Sequence, residues 1–412
     1  MAPRLLHPGP IFALSIIGFC FLTSIITILS WLPPNNTKNI LNGVIFHFWV
    51  LNILKNFFKA SFMGPGHIEF KWKPKRKSDE KLLQYCECCE GYKAPRAHHC
   101  KTCKRCVMKM DHHCPWINNC VGHYNHKSFT YFLFFVVVGC SHAAVMMILC
   151  IIDHITSKNG YILLRVYEEA MIRMNHYLII MLFFGIGLSV GCTLAVSFLL
   201  YYQVKSIVKN RTGIEDWIVE KAISRNKHIG RTFVYPYDLG KKENIKQVVL
   251  WSADYTGDGI TWPVVKGCDQ YTLTIEQLEQ KDLKRDRMVP YHVTKSYSGT
   301  WCPLMLGCRV LYDCPWSDEA RLKVNEGDTF FGSRHKKHWI YGERVLDEDS
   351  KEVQEHKLGE LRRKKGWVPR VHLQPIDDKD EETSSDDDRR IEQLKKDKER
   401  TKKQGKESKK KR

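Results

Sequence analysis

Four runs of this chain carry little or no charge, and no other feature limits the fold so strongly. Residues 11–31, "IFALSIIGFCFLTSIITILSW", 129–152, "FTYFLFFVVVGCSHAAVMMILCII", and 177–202, "YLIIMLFFGIGLSVGCTLAVSFLLYY", contain no Asp, Glu, Lys or Arg. Each is long enough to cross the ~30 Å hydrocarbon core as a helix. Residues 40–62 form a weaker run, interrupted by Asn42, His47, Asn52 and Lys55. The first run is too long for the core of a cleaved signal peptide, and no small-residue cleavage site follows "LPPNN". Four spans are the reading. The net charge of +19 would point to nucleic acid in a soluble protein. Beside membrane spans, basic loops set topology and touch anionic lipid, so the bilayer is the partner and no nucleic acid is expected.

Loop charge orients the spans. Lys71, Lys73, Lys75, Arg76, Lys77 and Lys81 precede a Cys-rich stretch between the second and third runs. Lys205, Lys209 and Arg211 follow the fourth, whereas the connections at 32–39 and 153–176 are nearly balanced. The positive-inside rule then puts both termini and the Cys-rich loop in the cytosol. Asn35 in "NNT" matches a glycosylation acceptor but lies too close to the membrane to be used.

Eight of the 16 cysteines fall between Cys86 and Cys120. The segment 85–129 reads "YCECCEGYKAPRAHHCKTCKRCVMKMDHHCPWINNCVGHYNHKSF". A secreted disulfide framework is one reading of dense Cys. Interleaved histidines and basic flanks favour metal in a reducing compartment. C-x2-C spacing recurs at Cys86/Cys89, Cys100/Cys103 and Cys103/Cys106, which lets two thiolates grip one ion from a tight turn. Two four-coordinate zinc ions use eight ligands. The segment offers eight Cys plus His98, His99, His112, His113, His123 and His126, so some residues do other work. The tightest group is Asp111-His112-His113-Cys114. A Cys beside an imidazole becomes a nucleophilic thiolate, and a carboxylate fixes that imidazole's tautomer. Spacing alone leaves Cys114 open as one more ligand and does not say which Cys pairs with which His.

The segment 85–129, with its Asp-His-His-Cys core, closely resembles the cysteine-rich domain of DHHC-type protein S-acyltransferases. Four spans with this domain between the second and third resemble that family throughout. The resemblance implies two interleaved structural zinc sites, one of Cys86, Cys89, His99 and Cys106 and one of Cys100, Cys103, His113 and Cys120. It implies that Cys114 is the acylated nucleophile, His112 its base and Asp111 the orienting acid. The reaction would be two-step, from an acyl-CoA such as palmitoyl-CoA to Cys114 and then to a cysteine of a target protein. The spans would enclose the acyl tail, with Trp116 as a wall of that cavity or, equally, an interface anchor.

Three positions bear on the family pattern. Its Asp-Pro-Gly is Gly64-Pro65-Gly66 here, and its Thr-Thr-x-Glu is Thr212-Gly213-Ile214-Glu215. The second Thr braces the active-site Asp, and Gly213 has no side chain to do so. Asn244 matches an Asn of the family's C-terminal motif and reads as a structural hydrogen-bonding group.

The expected fold is an α-helical integral membrane protein with four transmembrane helices, a cytosolic zinc-stabilised DHHC cysteine-rich domain and a C-terminal all-β SH3-like domain. Its divisions are 1–66 (spans one and two), 67–128 (cysteine-rich domain), 129–204 (spans three and four), 205–308 (cytosolic amphipathic region), 309–376 (β domain) and 377–412 (disordered charged tail). In the β domain "RVLYDCPW" at 309–316 reads as strand and turn, "LKVNEGDTF" at 322–330 as a strand turning at Gly327-Asp328, "HWIYGERV" at 338–345 as another strand, and "GWVPRVHLQPI" at 366–376 as the closing segment. Tyr312, Trp339 and Pro369 fit three positions of an SH3 ligand groove, which would supply a protein partner. Cys302, Cys308 and Cys314 are candidate acyl acceptors. The tail has too few apolar residues to bury a core. It ends Lys409-Lys410-Lys411-Arg412, which reads as a retrieval address to the endoplasmic reticulum. The competing function is a zinc-stiffened membrane adaptor without chemistry, acting through the β domain.

Overall fold

The computed structural model describes residues 2–156, 176–228, 230–249, 253–301, 306–317, 319–345 and 363–376. The tail at 377–412 and Cys302 lie outside the described residues. The chain forms two compact units, Met1–Gln280 and Lys281–Arg412.

In the first unit a one-turn helix α1 (Ala2–Leu5) precedes four long helices, α2 (Pro8–Trp31), α3 (Thr37–Phe62), α4 (His126–Thr156) and α5 (His176–Val208). All four are long and apolar enough to cross a membrane. The weak second run still makes a helix because its polar groups find partners without water. His47 Nδ1 and Asn52 Nδ2 donate to the carbonyls four residues back, at 2.8 Å each. Asn42 reaches across to α4, where His142 Nε2 donates to its Oδ1 at 3.0 Å. Asn36 caps α3 by accepting from the Asn39 N–H at 2.9 Å.

The Cys-rich segment joins α3 to α4 as three short antiparallel hairpins. These are β1 (Tyr85–Cys86) with β2 (Gly91–Tyr92), β3 (His98–Cys100) with β4 (Arg105–Val107), and β5 (His112–Cys114) with β6 (Asn119–Val121). Two buried asparagines fasten it to the last turn of α3, whose carbonyls have no partner within the helix. Asn119 Nδ2 donates to the carbonyls of Ala60, Ser61 and Met63 at 3.0, 3.3 and 2.9 Å, and Asn125 Nδ2 to Ala60 at 3.1 Å. On α2, a Cβ at Gly9 would stand 2.0 Å from the Pro115 carbonyl oxygen, so only glycine lets that helix reach the hairpin tip.

After α5 come α6 (Gly213–His228), α7 (Lys241–Lys246) and α8 (Thr272–Asp286). Within the first unit, residues of the region read as amphipathic pack against the Cys-rich segment. Arg96 forms a doubly hydrogen-bonded ion pair with Glu215, 2.7 Å in each arm, with both side chains buried. Trp262 Nε1 donates to the Pro95 carbonyl at 3.3 Å. Asn244 is fully buried and donates to the Val208 carbonyl, the last residue of α5, at 2.8 Å.

The second unit is a five-stranded antiparallel sheet ordered β10-β9-β8-β7-β11, from β7 (Val289–Val293), β8 (Thr329–His335), β9 (Trp339–Val345), β10 (Arg363–Pro369) and β11 (Leu373–Pro375). Its core gathers Val293, Val324, Phe330, Trp339, Ile340 and Val368. The sheet reaches back to Val289, ahead of position 309 where the β domain was expected to begin. The expected strand at 309–316 is a helix, α9 (Cys308–Tyr312). The helix packs over Trp339, which is fully buried and whose Nε1 donates to the Val310 carbonyl at 2.9 Å. Pro369 is buried too, and Tyr312 is 95% exposed, so these three share no open groove.

Replacing Asn119 by Ala leaves Ala60 to Asn125 and Ser61 to Arg4 but takes from the Met63 carbonyl its side-chain donor. Leaving such a group unpaired costs about 1–3 kcal/mol. The Asn119→Ala protein is expected to melt at a lower temperature in detergent. An unchanged midpoint would show that the Cys-rich segment does not depend on this fastening.

Candidate functional site

A 14-residue repeat builds the site. His98-His99-Cys100 recurs as His112-His113-Cys114, and each run is the first strand of a hairpin. The strand partners repeat as well, since His99 lies opposite Cys106 and His113 opposite Cys120. The turns repeat at Glu90, Lys104 and Asn118, each with φ between 45° and 52°. Each turn follows a C-x2-C position: Cys86/Cys89, Cys100/Cys103, then Cys114/Ile117. The third pair lacks its second cysteine.

The first turn points its two cysteines at the ligands of the second hairpin, and the second turn at those of the third. Cys86, Cys89, His99 and Cys106 converge, with His99 Nδ1 lying 3.4, 3.4 and 3.9 Å from the three sulfurs. Cys100, Cys103, His113 and Cys120 converge likewise, with His113 Nδ1 at 3.7, 3.4 and 3.6 Å. Zinc bonds of about 2.3 Å to sulfur and about 2.0–2.1 Å to nitrogen in a tetrahedron set ligand atoms roughly 3.5–3.8 Å apart. The two donor sets fit zinc in kind, number and spacing. They are the eight residues carried over from the family pattern. Cys88 is exposed and outside both sets.

Cys114 begins the third turn and has no fourth hairpin to face. It is buried, 4% exposed, in an apolar cluster with Ile117, Phe129, Phe132, Leu133 and Val136. Ile117 occupies the position that is Cys89 or Cys103 in the other two turns. Trp116 stands apart from this cluster. It is 45% exposed, and its ring lies 6.0 Å from that of Phe12 near the start of α2.

The structure brings Asp111, His112 and Cys114 together at the start of the third hairpin. His112 Nδ1 donates to Asp111 Oδ2 at 2.9 Å, and Cys114 lies two residues along the same strand, on the face that carries His112. Burial works against a charge on His112. Its hydrogen bond to Asp111, the nearby Cys114 and the charges of both outweigh burial and raise it to about 9. Burial would likewise raise Asp111, but hydrogen bonds from His112 and the Gly213 N–H, with nearby positive charge, hold it well below the usual carboxylate range.

Gly213 does have a way to contact Asp111. Thr212-Gly213-Ile214-Glu215 forms a capping box at the start of α6: Thr212 Oγ1 accepts from the Glu215 N–H at 3.3 Å and Glu215 Oε2 from the Thr212 N–H at 2.9 Å. Gly213 is thereby the first residue of the helix, and its N–H is free of any intrahelical partner. It donates to Asp111 Oδ1 at 3.0 Å. Two further residues, absent from the sequence reading of the site, complete the surroundings. Gln203 Nε2 donates to Asp111 Oδ2 at 2.8 Å, and His126 Nε2 contacts Gln203 Oε1 at 2.9 Å. His123 packs against Trp262, ring centroids 4.9 Å apart, away from this group.

The family profile described as "DHHC palmitoyltransferase" matches residues 79–220. "Palmitoyltransferase ZDHHC6" of Danio rerio is 46% identical over 380 residues, covering 89% of this chain and 90% of the relative. "Palmitoyltransferase ZDHHC6" of Homo sapiens is 41% identical with the same coverage. "Probable protein S-acyltransferase 16" of Arabidopsis thaliana is 31% identical over 254 residues, covering 57% of this chain and 82% of the relative. With a family profile over the cysteine-rich segment and relatives matched over 89% of its length, this chain belongs to the DHHC palmitoyltransferase family of enzymes.

Proposed function

We propose that this enzyme moves a long acyl chain, palmitoyl, from acyl-CoA to cysteine thiols of target proteins through an acyl-Cys114 intermediate. The observation that carries the reading is the Asp111–His112 hydrogen bond with Cys114 on the same strand face, a thiol set in an apolar cluster. In the first step Cys114 Sγ, its proton taken by His112, attacks the thioester carbonyl. Coenzyme A leaves as a thiolate and recovers that proton. In the second step a target thiol passes its proton to His112 and its sulfur attacks the acyl-Cys114 carbonyl, which frees Cys114. Asp111 keeps the His112 tautomer with Nδ1 protonated and supports the imidazolium. Phe129, Phe132, Leu133 and Val136 of α4 offer the acyl tail an apolar surface, and each buried CH2 contributes about 0.8 kcal/mol.

Zinc bound by the two Cys3His sets would hold the hairpins rigid. Each set already supplies four protein ligands, the closed arrangement of a structural site. The loop charges support a cytosolic placement of the Cys-rich segment and both termini. We read the five-stranded sheet as SH3-like. With Trp339 sealed under α9, a proline-rich PxxP peptide is expected to show no saturable binding to the full chain by fluorescence anisotropy. Saturable binding abolished by Tyr312→Ala would restore the groove.

Purified protein mixed with clickable palmitoyl-CoA is expected to take a hydroxylamine-labile label that Cys114→Ser loses entirely. Equal label on both proteins, or an intact cellular function in Cys114→Ser, would favour the adaptor reading. Stripping the metal with a strong chelator should remove about two zinc ions per chain and abolish labelling, because ligand thiolates left without an ion no longer fold the hairpins. Labelling that survived full removal of zinc would contradict this.

The raised His112 value gives a signed pH dependence. An imidazole held above its unfolded value of about 6.5 contributes stability that is fully present below that pH. The contribution is lost as pH rises through about 9. In Asp111→Asn the supporting charge is gone, so the melting midpoint should lose this alkaline decline. Parallel pH profiles for wild type and Asp111→Asn would show that the two groups are not coupled.

A further inference from the structure

The Asp111 carboxylate is 8% exposed and receives three donors, of which only His112 belongs to its own hairpin. The Gly213 N–H comes from the start of α6 and Gln203 Nε2 from the last turns of α5. Gln203 is itself buried at 7% exposure, and His126, the first residue of α4, at 4%. The amide has one workable orientation. Its nitrogen must face the carboxylate, because its oxygen there would set two acceptors against each other. Its oxygen then faces His126, whose Nε2–H donates to it at 2.9 Å. The chain of contacts runs His126 to Gln203 to Asp111 to His112, each link within 2.8–2.9 Å.

Reversal of the amide is blocked by the Asp111 carboxylate, which only accepts. A side chain serving only to fill space at this boundary would be apolar, since burying an amide without partners is costly. Asp111 Oδ2 is also the oxygen that accepts from His112. A donor on the same oxygen therefore sets where His112 Nδ1 is held, and through the imidazole where Cys114 meets its base.

We propose that Gln203, its amide oriented by His126, is a positioning residue that holds Asp111 in line with His112 and Cys114. With the Gly213 backbone N–H it does what a side-chain hydroxyl at position 213 would otherwise do. This rests on the assignment of Cys114 as nucleophile made above. Two membrane-crossing helices, α4 and α5, thereby supply the outer support of a cytosolic active site.

The test uses the full chain in detergent and two readouts. One is the rate of Cys114 alkylation by iodoacetamide, followed by mass spectrometry. It reports how well the thiol is activated and needs no acyl-CoA: sulfur bonds to the methylene carbon and iodide leaves. The other is autoacylation, with maximal rate and half-saturating palmitoyl-CoA measured separately. Gln203→Ala is expected to slow both rates at least about tenfold, the equivalent of one lost hydrogen bond to a charged group. Half-saturation should stay unchanged. Gln203→Glu, nearly the same shape, is expected to be slower still, because it sets a second carboxylate against Asp111. A Cβ at position 213 would meet nothing nearer than Asp111 Oδ1 at 3.9 Å, which leaves a threonine hydroxyl within hydrogen-bond reach. Gly213→Thr added to Gln203→Ala should therefore recover most of the lost rate, while zinc content and melting midpoint stay those of Gln203→Ala. Unchanged rates in Gln203→Ala would overturn the proposal. So would losses that follow zinc content or melting midpoint and are not recovered by Gly213→Thr. If alkylation depends on Gln203 but wild type takes no acyl label, the positioning role stands and the acyl-enzyme reading falls.

Discussion

Asp111 is a buried charge, and a buried carboxylate persists only where donors surround it. Its donors come from three separate parts of the chain: a hairpin of the Cys-rich segment, the first turn of α6 and the last turns of α5. Satisfying one carboxylate therefore requires the soluble and membrane-crossing parts of the first unit to meet at one point. The Arg96–Glu215 ion pair holds the same junction from the other side, since Glu215 closes the capping box that frees the Gly213 N–H. A backbone donor at the first position of a helix needs no side chain, and a helix N-terminus favours negative charge. Glycine at 213 and an ordered Asp111 are thus compatible.

The geometry around Cys114 follows from an arithmetic of hairpins. Three turns at 14-residue spacing each present a cysteine at the first position. Metal sites form between one turn and the next hairpin, so three turns make two sites and leave the last turn unmatched. Cys114 is the unmatched residue, and Ile117 beside it joins the apolar cluster instead of a metal. One scaffold in this way yields both rigid ligand sets and a thiol outside them. The repeat lies open in the sequence as His-His-Cys at 98 and 112, but which thiol the ligand sets leave out is seen only once the hairpins are placed in space.

Much of the site was legible because its groups are close in sequence. Asp111, His112 and Cys114 are neighbours, and the C-x2-C pairs announce themselves. Gln203 and His126 were not legible, since a single Gln at the end of an apolar run and one His among six carry no pattern. The β unit shows the opposite difficulty. Alternation located β9 and the turn at Gly327-Asp328, but "RVLYD" suits helix and strand alike. Trp339, which by pattern belongs in an open groove, is instead buried beneath α9.

By itself the sequence determined the four apolar helices, because a chain crossing hydrocarbon must satisfy its backbone internally over about 20 residues. It also determined the two ligand sets' chemistry, because Cys and His at short fixed spacing leave few alternatives. Tertiary structure alone decided what braces Asp111, which face of Trp339 is covered, and which thiol stays outside the metal sets in space. Those outcomes depend on contacts between residues as far apart as Asp111 and Gly213, where no local periodicity records the partner.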